Sequence, residues 1–361
     1  MATEKNYFER MSRTNSDNIF SMNFSLALDV LNGCFHSCGG CFVNKYKAGK
    51  NWRETILQAR RVADELISQG IKFSEVVLAP TDLFSSNNTL EVLKDPDFQA
   101  LMNLHPETRI TTSCVFDRLD RKRFLEVFSI LEDTSAYREK MILEFLVPVH
   151  TEKLLSKDPS YVENNLWAMD YFKNKSPKII DWSFVVNINN NEALKIHFDE
   201  ATRIVRDTFG TILEFNPGFF RANNDRLILQ HLAYWKEFMS FVLERGHPLE
   251  YTLSDVDRYH AANNLIALNC FQGQVYFSPF LYEQILELNE QFRLSAFGGA
   301  DIVKKHMELQ YHAFSYAEKT EECADCHLLA TCAGRNVLNF MEQRQIRACP
   351  LPEKYREMAL A

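Results

Sequence analysis

The chain has 361 residues, 46% hydrophobic and 24% charged, with a formal charge of -8. At ~150 residues per domain this is one large unit with an appendage, or two domains, with enough apolar mass for a sizeable core. Twelve Gly and eleven Pro exclude a fibrous or low-complexity chain. The acidic balance weighs against a long nucleic-acid surface, which is built on Lys and Arg, and leaves a local basic groove open.

No run of about 18 apolar residues occurs, so no spanning helix and no membrane partner are expected. The amino terminus is polar and carries both charge signs, unlike a secretory signal, which predicts a cytoplasmic protein. The nine Cys are the informative count: an odd number without a signal peptide favours metal ligation over disulfides.

In chain order, a polar extension (1–20) precedes apolar runs of strand length at 24–31, 75–80, 108–115, 141–149, 179–188 and 211–216. Helical spacing separates them. Trp52, Ile56, Ala59, Ala63 and Leu66 share one face, with Asn51 as N-cap, Glu54 three residues on and Gly70 as the stop. Leu194, Phe198, Ala201, Val205 and Phe209 repeat the pattern, as do Ile228, Leu232, Trp235, Met239 and Val242. Strands alternating with helices predict an α/β fold with parallel pairing and right-handed crossovers, curved or partly closed so that both strand faces are buried. After about residue 250 the rhythm changes. A hairpin is expected at 265–280 around Gln272–Gly273, then a helix at about 301–318, then a cysteine group. The expected units are 21–250 and a small metal-stapled domain at 251–361.

Cys34, Cys38 and Cys41 lie on one loop directly after the first strand. Three thiolates so spaced hold three irons of a cubane and leave the fourth open to a chelating cofactor, while Gly39 and Gly40 let the backbone approach. A zinc loop is the alternative, but structural zinc prefers four ligands.

The C-x3-C-x2-C run after the first strand of a six-unit β/α chain resembles the radical S-adenosylmethionine superfamily. The resemblance implies a partial (β/α)6 TIM-like barrel, a [4Fe-4S] cluster on these cysteines, and S-adenosylmethionine on the open iron. It also implies an electron donor of flavodoxin or ferredoxin type. Departures are specific. The family's aromatic before the third cysteine is Gly40 here, with Phe42 just after, so adenine packing is supplied differently and these two are the candidate contacts. The family's Gly-Gly-Glu after the second strand is replaced by Pro80-Thr81-Asp82. Asp82 is either an acceptor for the cofactor's ammonium, beside Thr81, or a cap for the turn before Ser85–Asn88. Glu144, Asn187 and Asn190 lie where the family contacts ribose and carboxylate, on strand order alone.

Cys323-x2-Cys326-x5-Cys332 and Cys349 form a second set of four thiolates, enough for a cubane with no open site. Their spacing resembles the SPASM extension of peptide- and protein-modifying members. Asn336 and Ser278 stand where that family's inner cluster needs cysteines, so one auxiliary [4Fe-4S] cluster is expected and not two. A four-cysteine zinc knuckle is the alternative.

Cys114 and Cys270 are candidate hydrogen-atom donors, or small buried hydrophobes; Glu214 is a candidate base, or a strand-end charge. The resemblance implies hydrogen abstraction by a 5′-deoxyadenosyl radical, most directly from a peptide or protein side chain in a cross-link, epimerisation or oxidation. Radical chemistry on a small metabolite, or on a nucleobase or nucleic-acid adduct, is the alternative. A binding module using its clusters as structure is another.

Overall fold

A computed structural model of the chain describes residues 23–33, 51–78, 81–104, 108–113, 119–138, 141–175, 180–188, 192–217, 225–247, 265–277, 293–317 and 320–324, together with 326, 346–349, 351 and 353. The first apolar stripe forms a helix, Trp52–Ser68 (α1), with Ile56, Ala59, Ala63 and Leu66 all buried. Asn51 precedes it as expected, but its side chain donates to the Glu54 carboxylate and caps no backbone amide. The stop is as read: Gly70 has φ 82, its N–H bonds the Ile67 carbonyl, and the Ile71 N–H reaches back to Leu66.

Six strands follow the expected order: β1 (Asn23–Asp29), β2 (Phe73–Leu78), β3 (Thr108–Ser113), β4 (Met141–Pro148), β5 (Ile180–Ile188) and β6 (Leu213–Pro217). Each pairs in parallel with the next, so β1 to β6 lie side by side in chain order. Between them run α2 (Thr89–Lys94), α3 (Pro96–Met102), α4 (Arg121–Asp133), α5 (Ser135–Arg138), α6 (Thr151–Leu155), α7 (Pro159–Lys175), α8 (Glu192–Ile196) and α9 (Phe198–Ile204). The stripe expected as one helix over 194–209 is divided into α8, α9 and a π turn at Val205–Phe209. Its apolar residues step by four, three, four and four, more than 3.6 residues per turn supplies, and the wider turn keeps Val205 and Phe209 both buried.

After β6 come α10 (Asp225–Glu244), the hairpin strands β7 (Leu265–Phe271) and β8 (Gln274–Phe277), then α11 (Gly299–Ala317) and α12 (Glu321–Ala324). The hairpin turn has φ 53 at Gln272 and φ 70 at Gly273, the left-handed pair that matches strand twist. Its strands do not stand apart with the C-terminal cysteines. β7 pairs in parallel with β1, and β8 closes that edge antiparallel to β7, giving one eight-stranded mixed sheet. The hairpin tip sits on the start of α1, where the Gly273 N–H donates to Thr55 Oγ1 at 2.8 Å and a Cβ at Gly273 would meet Glu54 at 2.9 Å.

The sheet has two unlike faces. Leu26, Leu28, Val76, Leu78, Ile110, Leu143, Phe145, Phe184, Leu213 and Phe215 belong to the buried apolar core. Phe145 packs on Phe172 of α7 at 5.2 Å, and Phe84, from the segment after β2, stacks on Phe124 of α4 at 4.2 Å. The alternate positions on the same strands form the other face and mix polar residues, Ser25, Asp29, Glu75, Ser183 and Glu214 among them, with apolar ones such as Ala27, Val77, Ile142 and Val185. Among the described residues no helix is long and apolar enough to cross a membrane.

His247 closes the α10 end of the core. It is buried edge-on to Phe215, and its Nε2 lies 2.8 Å from the Leu213 carbonyl. Burial lowers its pKa, against the opposing pull of that hydrogen bond. The unfolded chain therefore takes up a proton near pH 6.5 that the folded chain resists, so stability is complete above that pH and falls as pH drops below it. Thermal melts between pH 7.5 and 5 should show this slope. It should flatten in His247→Gln, after allowing for His231, whose pKa is lowered in the same direction.

Candidate functional site

Parallel strands deliver their carboxyl ends to one edge, where the following loops meet. At β1 that edge is Val30–Leu31–Asn32–Gly33, with Val30 and Leu31 buried and Gly33 at φ 53. At β2 it is the segment 81–88, in which Leu83 and Phe84 are core residues, Thr81, Asp82, Ser86 and Asn88 are buried polar ones, and Asn87 is exposed.

Asp82 organises that segment from within. Its Oδ1 accepts from the Phe84 N–H at 2.8 Å and the Ser85 N–H at 3.3 Å, and its carbonyl accepts from both the Ser86 N–H and hydroxyl. The turn-cap role weighed for Asp82 is thus filled. Thr89 Oγ1 donates to the Leu83 and Ser86 carbonyls, closing the turn onto α2.

Asn88 ties the two edges together. It occupies the N-cap position of α2 but makes no capping bond. Instead Nδ2 donates to the Val30 carbonyl at 2.9 Å and Oδ1 accepts from the Asn32 N–H at 2.6 Å. A third bond runs from the Asn87 N–H to the Asn32 carbonyl at 3.3 Å. One partner is only an acceptor and the other only a donor, which fixes the orientation of the amide.

The second sheet face runs from this edge across the strands. Ser25 donates to Glu75, its direct neighbour on β2, at 2.7 Å, and Asp29 ends β1 buried. Register sets the position of Glu144 between Thr111 and Asp181, and that of Asn187 beside Asn216. Glu214 lies beside Val185 on β6 and accepts a hydrogen bond from the buried Ser183 hydroxyl, which orients its carboxylate. On β7, Asn269 sits opposite Ala27, 1% exposed, with no partner for Oδ1 among the described residues.

Cys270 belongs to the other face. Register pairs it with Leu28 and Val275, both in the core, and burial pushes its thiol pKa well above the usual range. It packs as a small apolar side chain. Cys34, Cys38, Gly40, Cys41, Phe42, Cys114, Asn190 and Cys332 lie outside the described residues.

Of the C-terminal cysteines, Cys323 and Cys349 are buried, and neither they nor Cys326 form a disulfide. The Cys326 N–H bonds the Cys323 carbonyl at 3.0 Å, making the C-x2-C turn at the end of α12. The Cys349 N–H donates to the carboxylate of Glu322, whose other oxygen meets Lys236 of α10 at 2.9 Å. Glu322 therefore brings the strand of chain around Cys349 back to that turn. Among the described residues no three Cys, His, Asp or Glu side chains are gathered closely enough to hold a metal.

Sequence reasoning missed Asn88 and Asn269. The Ser-Asn-Asn-Thr run at 86–89 reads as a loop entering a helix, and nothing local says that its asparagine reaches a strand 58 residues away. In the native protein Cys270 should resist alkylation while the half-buried Cys326 reacts, and Cys270 should react fully only on unfolding. Peptide mapping after timed iodoacetamide labelling reads this directly, and Cys270→Ser should lower stability by about 1–3 kcal/mol by burying a hydroxyl in the core.

No protein-family model and no curated protein matches the sequence. Among solved structures, one of native anSMEcpe with bound AdoMet aligns over 93% of this chain and 95% of its own, at 12% identity and a TM-score of 0.48.

Proposed function

We propose that the chain is a radical S-adenosylmethionine enzyme acting on a peptide or protein side chain. The observation that carries the reading is positional. The Cys34–Cys38–Cys41 run begins one residue beyond Gly33, at the carboxyl end of a strand flanked on both sides by parallel neighbours. Three thiols in eight residues suit an iron–sulfur cubane with one open iron better than zinc. A buried, hydrogen-bonded second loop at the same edge is the rigid support such a centre needs.

In this reading Cys34, Cys38 and Cys41 hold a [4Fe-4S] cluster. With S-adenosylmethionine bound, that group supplies one-electron cleavage of the sulfonium and a 5′-deoxyadenosyl radical that takes a substrate hydrogen. The chain's own residues do the rest. Thr81 and Asp82, buried at the end of β2, would meet the cofactor's ammonium there. Glu144 and Asn187 stand at mid-sheet and at the β5 end, where a ribose or carboxylate is met. Glu214, oriented by Ser183, is the carboxylate placed to take a proton from substrate. Cys323, Cys326, Cys332 and Cys349 are read as ligands of one further cluster, a reading that rests on their spacing and on the Glu322 tether. The peptide preference rests on the same C-terminal spacing, and reducing equivalents come from a flavodoxin- or ferredoxin-type donor.

Anaerobically reconstituted protein should contain about eight irons per chain, or about four if the C-terminal set holds none. Under reduction with S-adenosylmethionine it should release 5′-deoxyadenosine. Alanine at Cys34, Cys38 or Cys41 should abolish release, whereas Cys349→Ala should leave the first centre's spectrum intact. Full iron content with no release would contradict the reading.

A further inference from the structure

We infer that Asn88 is a positioning residue for S-adenosylmethionine binding: by clamping the last residues of the β1 edge, it sets where the cysteine run departs. The inference rests on the cluster reading given above.

Four features of Asn88 point away from a merely local role. It is 5% exposed, so its amide is committed to protein partners. It gives up the N-cap bond that its position on α2 offers. Both its polar atoms go to the segment 30–32, at 2.9 Å and 2.6 Å. Its own backbone is held by the Asp82 turn, by Thr89 and by the seating of Leu83 and Phe84 in the core. The clamp is therefore anchored on its β2 side and grips on its β1 side.

What it grips matters because of where the chain goes next. Asn32 is followed by Gly33 in the left-handed region, and Cys34 comes directly after. The Asn32 peptide stands one glycine away from the first cysteine, so the clamp fixes where the run starts. Three cysteines can still gather a cluster from a loosened start, because ligation itself is strong. A chelating cofactor asks for more: its contacts to the open iron and to the neighbouring loop must be met together, and a slack loop has to be ordered at binding. Asn88 supplies that order beforehand, so its loss falls on cofactor affinity more than on iron content.

Three variants test this on the whole chain. In Asn88→Ala, amide exchange at Asn32 should quicken in protein without metal. After reconstitution the variant should keep wild-type iron and sulfide but bind S-adenosylmethionine about tenfold more weakly by equilibrium dialysis. Asn88→Ser keeps one short hydroxyl beside the two partners and places no charge in the buried turn, so it should fall between, and it stands in for the alanine variant if that one does not fold. Tyr137→Phe removes a buried hydrogen bond to the Leu93 carbonyl, at the far end of α2, without touching the turn that anchors Asn88. It should lower the melting temperature while leaving cofactor affinity unchanged. Equal affinity in wild type and both Asn88 variants would overturn the inference while leaving the cluster reading intact. Equal weakening in Tyr137→Phe would overturn it in favour of general loosening. Wild-type protein that gathers iron but binds no S-adenosylmethionine would overturn both.

Discussion

Two hydrogen bonds from the buried amide of Asn88 join the end of β1 to the segment after β2, and the arrangement of the candidate site depends on them. Each bond on its own contributes about 1 kcal/mol. Their removal costs more than their formation gains, because the Val30 carbonyl and the Asn32 N–H would be left buried without partners, at about 1–3 kcal/mol each. The interaction is a crossbrace between neighbouring strands just past the point where their own ladder stops. Parallel pairing carries Leu28 alongside Leu78, and the clamp extends that pairing beyond the sheet.

Around this brace the sheet separates two tasks. On one face every strand contributes large apolar side chains to the layer of helices, and Cys270 is absorbed there. On the other face the same strands carry Ser25, Asp29, Glu75, Ser183, Glu214 and Asn269, most of them buried and several hydrogen-bonded to one another. Burying polar groups costs stability unless they are hydrogen-bonded, and the Ser25–Glu75 and Ser183–Glu214 pairs meet that condition across neighbouring strands. The apolar face holds the strands in register, and register in turn sets which polar residues meet.

Much of the architecture was legible in the residues. Runs of Val, Ile, Leu and Phe of strand length, separated by helical stripes, led to six parallel strands in chain order, and Gly70 and Gly273 marked their turns correctly. Other features lay outside local reach. The hairpin at 265–277 was recognisable, but its pairing with β1 is a contact across more than 230 residues that periodicity does not encode. The division of the 194–209 stripe follows from a step pattern slightly too long for an α-helix, visible only once the π turn is seen. Asp82 was readable as a cap because an Asx turn is local. Asn88 was not, because its partners are distant and its N-cap position offered a sufficient local explanation. The cysteines that prompted the chemical reading owe their force to spacing and chain position, with Cys34, Cys38 and Cys41 outside the described residues.

The central claim is that the amino-terminal cysteine run leaves one iron open to a sulfonium cofactor. Mössbauer spectroscopy of protein reconstituted with iron-57, in a Cys323→Ala/Cys326→Ala/Cys349→Ala background that removes the C-terminal set, tests it most directly. Adding S-adenosylmethionine should shift a single iron of the remaining cubane toward higher coordination and leave its other three unchanged. A spectrum unaltered by the cofactor, or one with all four irons equivalent throughout, would contradict the account.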